Sequence, residues 1–125
     1  MVSDSASWQL SVDVSTEWLF FHIGGPTADL ALQQPLAEQA WSIAQEHGIR
    51  RMVVQLEPGV LLSSRLIGQL VLLHKRAHTH AGVLRLCGLS ETNYQVLETM
   101  RLDGRFPNYR SREDAVMGYA PVGVH

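Results

Sequence analysis

The sequence predicts an α/β fold, a mixed β-sheet of about four to five strands that begins with a hairpin and is covered by about four α-helices. Three observations lead there. The first is alternation of apolar and polar residues in "WQLSVDV", followed closely by the aromatic-rich "EWLFFHI". The second is the regular exchange, from residue 35 onward, between short apolar runs and segments with apolar spacings of three and four. The third is a serine before several of the helical segments, a residue type that starts helices by capping.

In "WQLSVDV" Trp8, Leu10, Val12 and Val14 fall on one face of a half-buried strand. Ser15 and Thr16 turn the chain, and Glu17 to Ile23 form the second strand of the hairpin. "GGPTADLALQQP" contains two glycines and two prolines and is expected to be a loop. A helix follows, with Pro35 in its first turn, a stripe of Leu36, Ala40, Ile43, Ala44 and the stem of His47, and Gly48 at its end. "RMVVQLEPG" is a buried strand closed by a Pro-Gly turn. Between Ser63 and His80 lies a helix with Leu66, Ile67, Leu70, Val71, Leu73 and Ala77 inward. "GVLRLCG" is the next strand. Ser90 caps a helix expected to bury Tyr94, Leu97 and Met100, "RFPNYR" is a short last strand, and Ser111 opens a last helix with Glu113 and Asp114 at its positive end.

Composition narrows the function. The 125 residues suit one domain, expected over 7–119 between a flexible N-terminus at 1–6 and a tail at 120–125. A net charge of −2 offers no basic field for nucleic acid. The start "MVSDSASWQL" lacks the basic and apolar regions of a signal peptide, and no apolar stretch is long enough for a membrane span, so a cytoplasmic location without stable membrane insertion is expected. Cys87 is the only cysteine and is expected to be a small core residue. His74 and His78 have the four-residue spacing of a shared metal, but no third ligand accompanies them, and they are read as helix-end histidines. No base and orienting group stand at a spacing that would activate a serine, so no catalytic residues, metal or cofactor are expected, and the chain is not read as an enzyme.

The stretch from Arg51 to Val116 resembles the STAS domain of bacterial anti-sigma factor antagonists. The likeness rests on the strand, the turn, the apolar pair Leu61-Leu62, the serine-bearing helix start and Leu-rich helix, then "LCGLSETNYQVLETMRLDGRF" and "SREDAV". With Gly68 set on the second glycine of the family's Asp-Ser-Ser-Gly-Leu-Gly motif, Ser63 falls on the aspartate, Ser64 on the phosphorylated serine and Arg65 on the second serine. The resemblance therefore implies Ser64 as the phosphorylation site, with Ser63 the alternative one residue away. It implies a partner surface that includes Asp29, Leu62, Arg65 and Gly68, and as partner an anti-sigma factor or serine-kinase-like regulator, with a second copy of the chain also a candidate. Two departures stand out: Ser63 replaces the acid, and Asp29 is displaced by one or two positions from the family's loop aspartate. Read without the resemblance, a serine at a helix start is a cap. Three functions follow as expectations: a protein–protein switch in transcription regulation, a non-switching STAS module of a scaffold or transport complex, and a small-ligand sensor.

Overall fold

The computed structural model describes residues 7–27 and 35–118. The expected flexible N-terminus (1–6), the tail (120–125) and Asp29 lie outside the described residues. The elements are β1 (Ser7–Val14), β2 (Leu19–Thr27), α1 (Leu36–His47), β3 (Arg51–Leu56), α2 (Ser64–Thr79), β4 (Val83–Cys87), α3 (Glu91–Thr99), β5 (Asn108–Tyr109) and α4 (Arg112–Met117). The five strands form one sheet in the order β1-β2-β3-β4-β5. β1 and β2 are antiparallel, with Val14 opposite Leu19, and each later neighbour is parallel. This is the mixed α/β sheet expected from the pattern.

The period-2 geometry of strands divides the sheet into two faces. Leu19, Phe21 and Ile23 of β2, Met52, Val54 and Leu56 of β3, and Leu84 and Leu86 of β4 point to one face, where α1, α2 and α3 close the main core. Leu66, Leu70, Leu73 and Phe106 are fully buried in it. Val53, Cys87 and Tyr109 point to the other face, where they pack with Trp18 and with Ala115 of α4. Burial pushes the Cys87 thiol up to about 11, which leaves it a small apolar residue as expected. Arg85 fastens α4 by donating to the Ala115 carbonyl while its guanidinium lies 5.7 Å from the ring centres of both Trp18 and Tyr109. Arg112 reaches Asp13 Oδ2 at 2.9 Å and Gln55 Oε1 at 3.1 Å.

Several local readings change. The second strand starts at Leu19 and runs on through Gly24 to Thr27. Its pairing with β3 ends at Ile23, so the Gly-Gly-Pro stretch pairs only with β1, across a register shift between Ser7 and Gln9. On such a one-sided stretch a proline is tolerated. Pro35 precedes the first turn of α1 and does not lie in it. Val14 and Met100 are 49% and 46% exposed, and the polar Asn93 takes the inward place on α3 beside Leu97.

Candidate functional site

The residues between β3 and α2 are shaped by a chain of local interactions. Glu57, Pro58, Gly59 and Val60 make a tight turn, closed by the Val60 N–H to the Glu57 carbonyl at 3.1 Å. Gly59 has φ +95°, as the third position of a type II turn requires after proline. The Glu57 N–H ties the turn to the end of β2 through the Ile23 carbonyl, 2.9 Å away. Beyond the turn the Ser63 N–H bonds back to the Leu61 carbonyl at 2.9 Å, a γ-turn centred on Leu62. Val60 and Leu62 are buried and Leu61 is 67% exposed. Of the apolar pair, Leu61 is therefore the one at the surface, and Leu62 belongs to the core.

Asn93 holds this segment from below. Its Nδ2 donates to the Val60 carbonyl at 2.8 Å, and its Oδ1 accepts from the Leu62 N–H at 2.9 Å. One amide thus satisfies both main-chain groups of a short buried stretch that no strand can pair. Sequence reasoning passed over Asn93. Its position two residues inside α3, at a place where the helical stripe is inward, was the available signal.

At the helix start the two serines separate into two roles. Ser63 is extended, with φ −80° and ψ 165°, and its Oγ accepts from the Leu66 N–H at 3.1 Å while its carbonyl accepts from Ile67 at 2.9 Å. It is the N-cap. An aspartate could accept the same bond, so Ser63 keeps the capping geometry without the charge. Ser64 is the first helical residue and is exposed, and its hydroxyl takes no part in the cap. The first turn of α2 carries no acidic residue. Ser63→Ala is expected to destabilise the fold by about 1 kcal/mol, and Ser64→Ala by no more than about 0.5 kcal/mol. Chemical denaturation of the two variants measures the contrast.

Arg65 and Gly68 are exposed and continue the surface begun by Leu61 and Ser64. Leu72, one turn beyond Gly68, is 52% exposed and extends the same side. A Cβ at Gly68 would meet nothing within 4 Å, so no packing inside the chain requires glycine there. His74 and His78 are stacked at the far end of the helix with ring centres 6.4 Å apart. Among the described residues no group of three or more His, Cys, Asp or Glu side chains could hold a metal, and no helix is long and apolar enough to cross a membrane.

No protein-family model matches the chain, and no curated protein is significantly similar to it in sequence. Solved structures are similar in shape. An anti-sigma factor antagonist from Mycobacterium paratuberculosis matches with a TM-score of 0.67 at 15% identity, over 90% of this chain and 93% of that one. An anti-sigma-factor antagonist (STAS) domain protein from Planctomyces limnophilus matches with a TM-score of 0.63 at 23% identity, over 88% of this chain and 97% of that one. The TM-scores and the near-complete coverage of both chains agree: this chain has the STAS-domain fold of the anti-sigma factor antagonists.

Proposed function

We propose that the chain is an anti-sigma factor antagonist, a protein–protein switch that binds an anti-sigma factor of serine-kinase-like fold and is controlled by phosphorylation of Ser64. The observation that carries this reading is the division of labour between the serines. Ser63 is committed to the cap, which leaves the neighbouring Ser64 hydroxyl exposed on the first turn of α2. The fold it shares with anti-sigma factor antagonists supports the same reading. The partner surface comprises Leu61, Ser64, Arg65, Gly68 and Leu72. An exposed apolar residue flanks the serine on either side along this surface, so a phosphate there adds charge where a contact must lose water.

Phosphorylation in this position opposes binding without opposing folding. The first N–H groups of a helix have no intrahelical partner, and the helix dipole is positive at that end. A phosphate on Ser64 is thus stabilised within the free chain. Incubation with an anti-sigma serine kinase and ATP, followed by mass spectrometry, is expected to place one phosphate on Ser64 in the parent chain and in Ser63→Ala, and none in Ser64→Ala. Ser64→Asp is expected to weaken partner binding by about tenfold or more, equivalent to about 1.4 kcal/mol, with an unchanged or slightly raised melting temperature. No phosphate on either serine, together with unaltered binding by Ser64→Asp, overturns the switch.

Gly68 gives a further check on the surface. Glycine inside a helix is destabilising by about 1 kcal/mol relative to alanine, and here no internal packing offsets that. Gly68→Ala is expected to raise stability by about 0.5–1 kcal/mol and to weaken partner binding, because the added methyl stands on the contact face. A second reading, a STAS module that does not switch, is favoured by the lack of any acidic residue in the first turn of α2. It predicts that Gly68→Ala still weakens binding while Ser64→Asp does not.

A further inference from the structure

A second concave site lies at the other end of α2, along the outer edge of β4. β5 pairs only with Leu86 and Cys87, so among the described residues no strand lies beside Val83–Arg85 on that side. The Val83 N–H is turned inward to the Arg50 carbonyl at 2.9 Å, whereas the Gly88 N–H is turned outward to the Tyr109 carbonyl at 2.8 Å. Strand alternation therefore turns the main-chain N–H and C=O of Leu84 outward, while its side chain is buried in the core. They face a cleft of about 280 Å³.

The titratable and charged side chains lining this cleft are His74 and His78 from α2, Arg85 from β4, Arg105 from the segment before β5, and Tyr109 from β5. No Asp or Glu lines it, although the chain as a whole carries a net charge of −2. The two imidazoles are fixed in parallel, 3° apart, and His74 also meets the Phe106 ring edge-on at 5.2 Å. The His74 pKa is held below the ordinary histidine value by burial, then by Arg105 and by His78. The cleft is thus lined by basic groups without a carboxylate, and burial, with Arg105 and His78 beside it, disfavours the charged form of His74.

We propose that this cleft binds a small molecule through a tetrahedral oxyanion, phosphate or sulfate in chemistry. The His74 and His78 imidazoles of α2, the Arg105 guanidinium and the outward N–H of Leu84 line the cleft, an arrangement that suits an acceptor with several oxygens, while the Arg85 guanidinium stays committed to the Ala115 carbonyl on the opposite face. Its volume falls just below the range of about 300–1,000 Å³ typical of drug-sized ligands, so the ligand is small. Bound anion favours the imidazolium form of His74, and binding takes up a proton.

Inorganic sulfate and inorganic phosphate are the probes, followed by the ring resonances of His74 and His78 at constant ionic strength. Sulfate keeps its charge between about pH 6 and pH 8, across the histidine range, and so isolates the protein's own titration. Saturable shifts are expected, with sulfate bound about tenfold tighter at the lower pH. Phosphate is expected to compete for the same site. Arg105→Gln and His78→Gln, both exposed positions, are each expected to weaken binding about fivefold or more with an unchanged melting curve. Equal shifts with chloride, shifts that do not saturate, sulfate affinity independent of pH, or binding indifferent to both substitutions would overturn the proposal.

Discussion

Gly82→Ala is expected to destabilise the chain by about 3 kcal/mol or more, towards the upper end of what overpacking produces. Gly82 joins the end of α2 to β4 where two backbones converge. Its N–H reaches the Ala77 carbonyl at 2.6 Å, and the next N–H, that of Val83, reaches Arg50. A Cβ here would collide with the Arg50 carbonyl oxygen, stand 2.9 Å from Arg50 Cβ and lie 3.2 Å from the Ala77 carbonyl oxygen. These obstacles are mainly backbone, which cannot rotate aside as a side chain can. Relief requires moving the start of β3 away from the end of α2, and with it the pairing of Arg51 with Val83. Urea unfolding checks the value: the midpoint falls while the slope stays near that of the parent.

Asn93→Ala is expected to destabilise by about 2–4 kcal/mol, since it strands two buried main-chain groups, each worth about 1–3 kcal/mol when left unmatched. Its functional effect should exceed its effect on stability. The Val60 carbonyl and Leu62 N–H that lose their partner frame Leu61 and lead into Ser63, so the surface around Ser64 loses its shape before the fold is lost. Asn108→Ala is the matched control. Asn108 is also buried and bridges both the N–H and the carbonyl of Leu89, at 2.9 and 3.3 Å. A comparable loss of stability is expected there, without comparable loss of partner binding. Hydrogen exchange separates the two cases, with the Leu62 amide released in one and the Leu89 amide in the other.

The element order was legible because it is written in periodicity and punctuation, both local. Leu66, Leu70, Leu73 and Ala77 can be read as inward from spacing alone, and Ser90 and Ser111 as helix starts, each of which does accept from an N–H three residues on. Less legible was whatever depends on a distant partner. "GGPT" has the composition of a loop and becomes strand because β1 pairs with it. Trp18 reads as part of a strand, yet it lies in the hairpin connection and is buried on the second face. Asn93 and Asn108 carry no sign of burial in their own residue type; only the main-chain groups they satisfy, 19 to 33 residues away in the chain, make burial favourable. At the candidate site the serine pair was visible, but which serine caps depends on where the helix starts to the residue. Which of Leu61 and Leu62 faces outward is set by the Glu57–Val60 turn and by the Ser63 N–H bond back to the Leu61 carbonyl, and the two residue types do not announce it.

The strand order has a kinetic consequence. Among the described residues every strand after the first lies beside the one that precedes it in the chain, and none is inserted between two earlier neighbours. Each addition to the sheet therefore closes a loop no longer than one crossover, and loop-closure entropy stays small at every step. Folding can proceed as accretion: the hairpin first, then one βα unit at a time in the direction of synthesis, without a nucleus that must wait for the far end of the polypeptide.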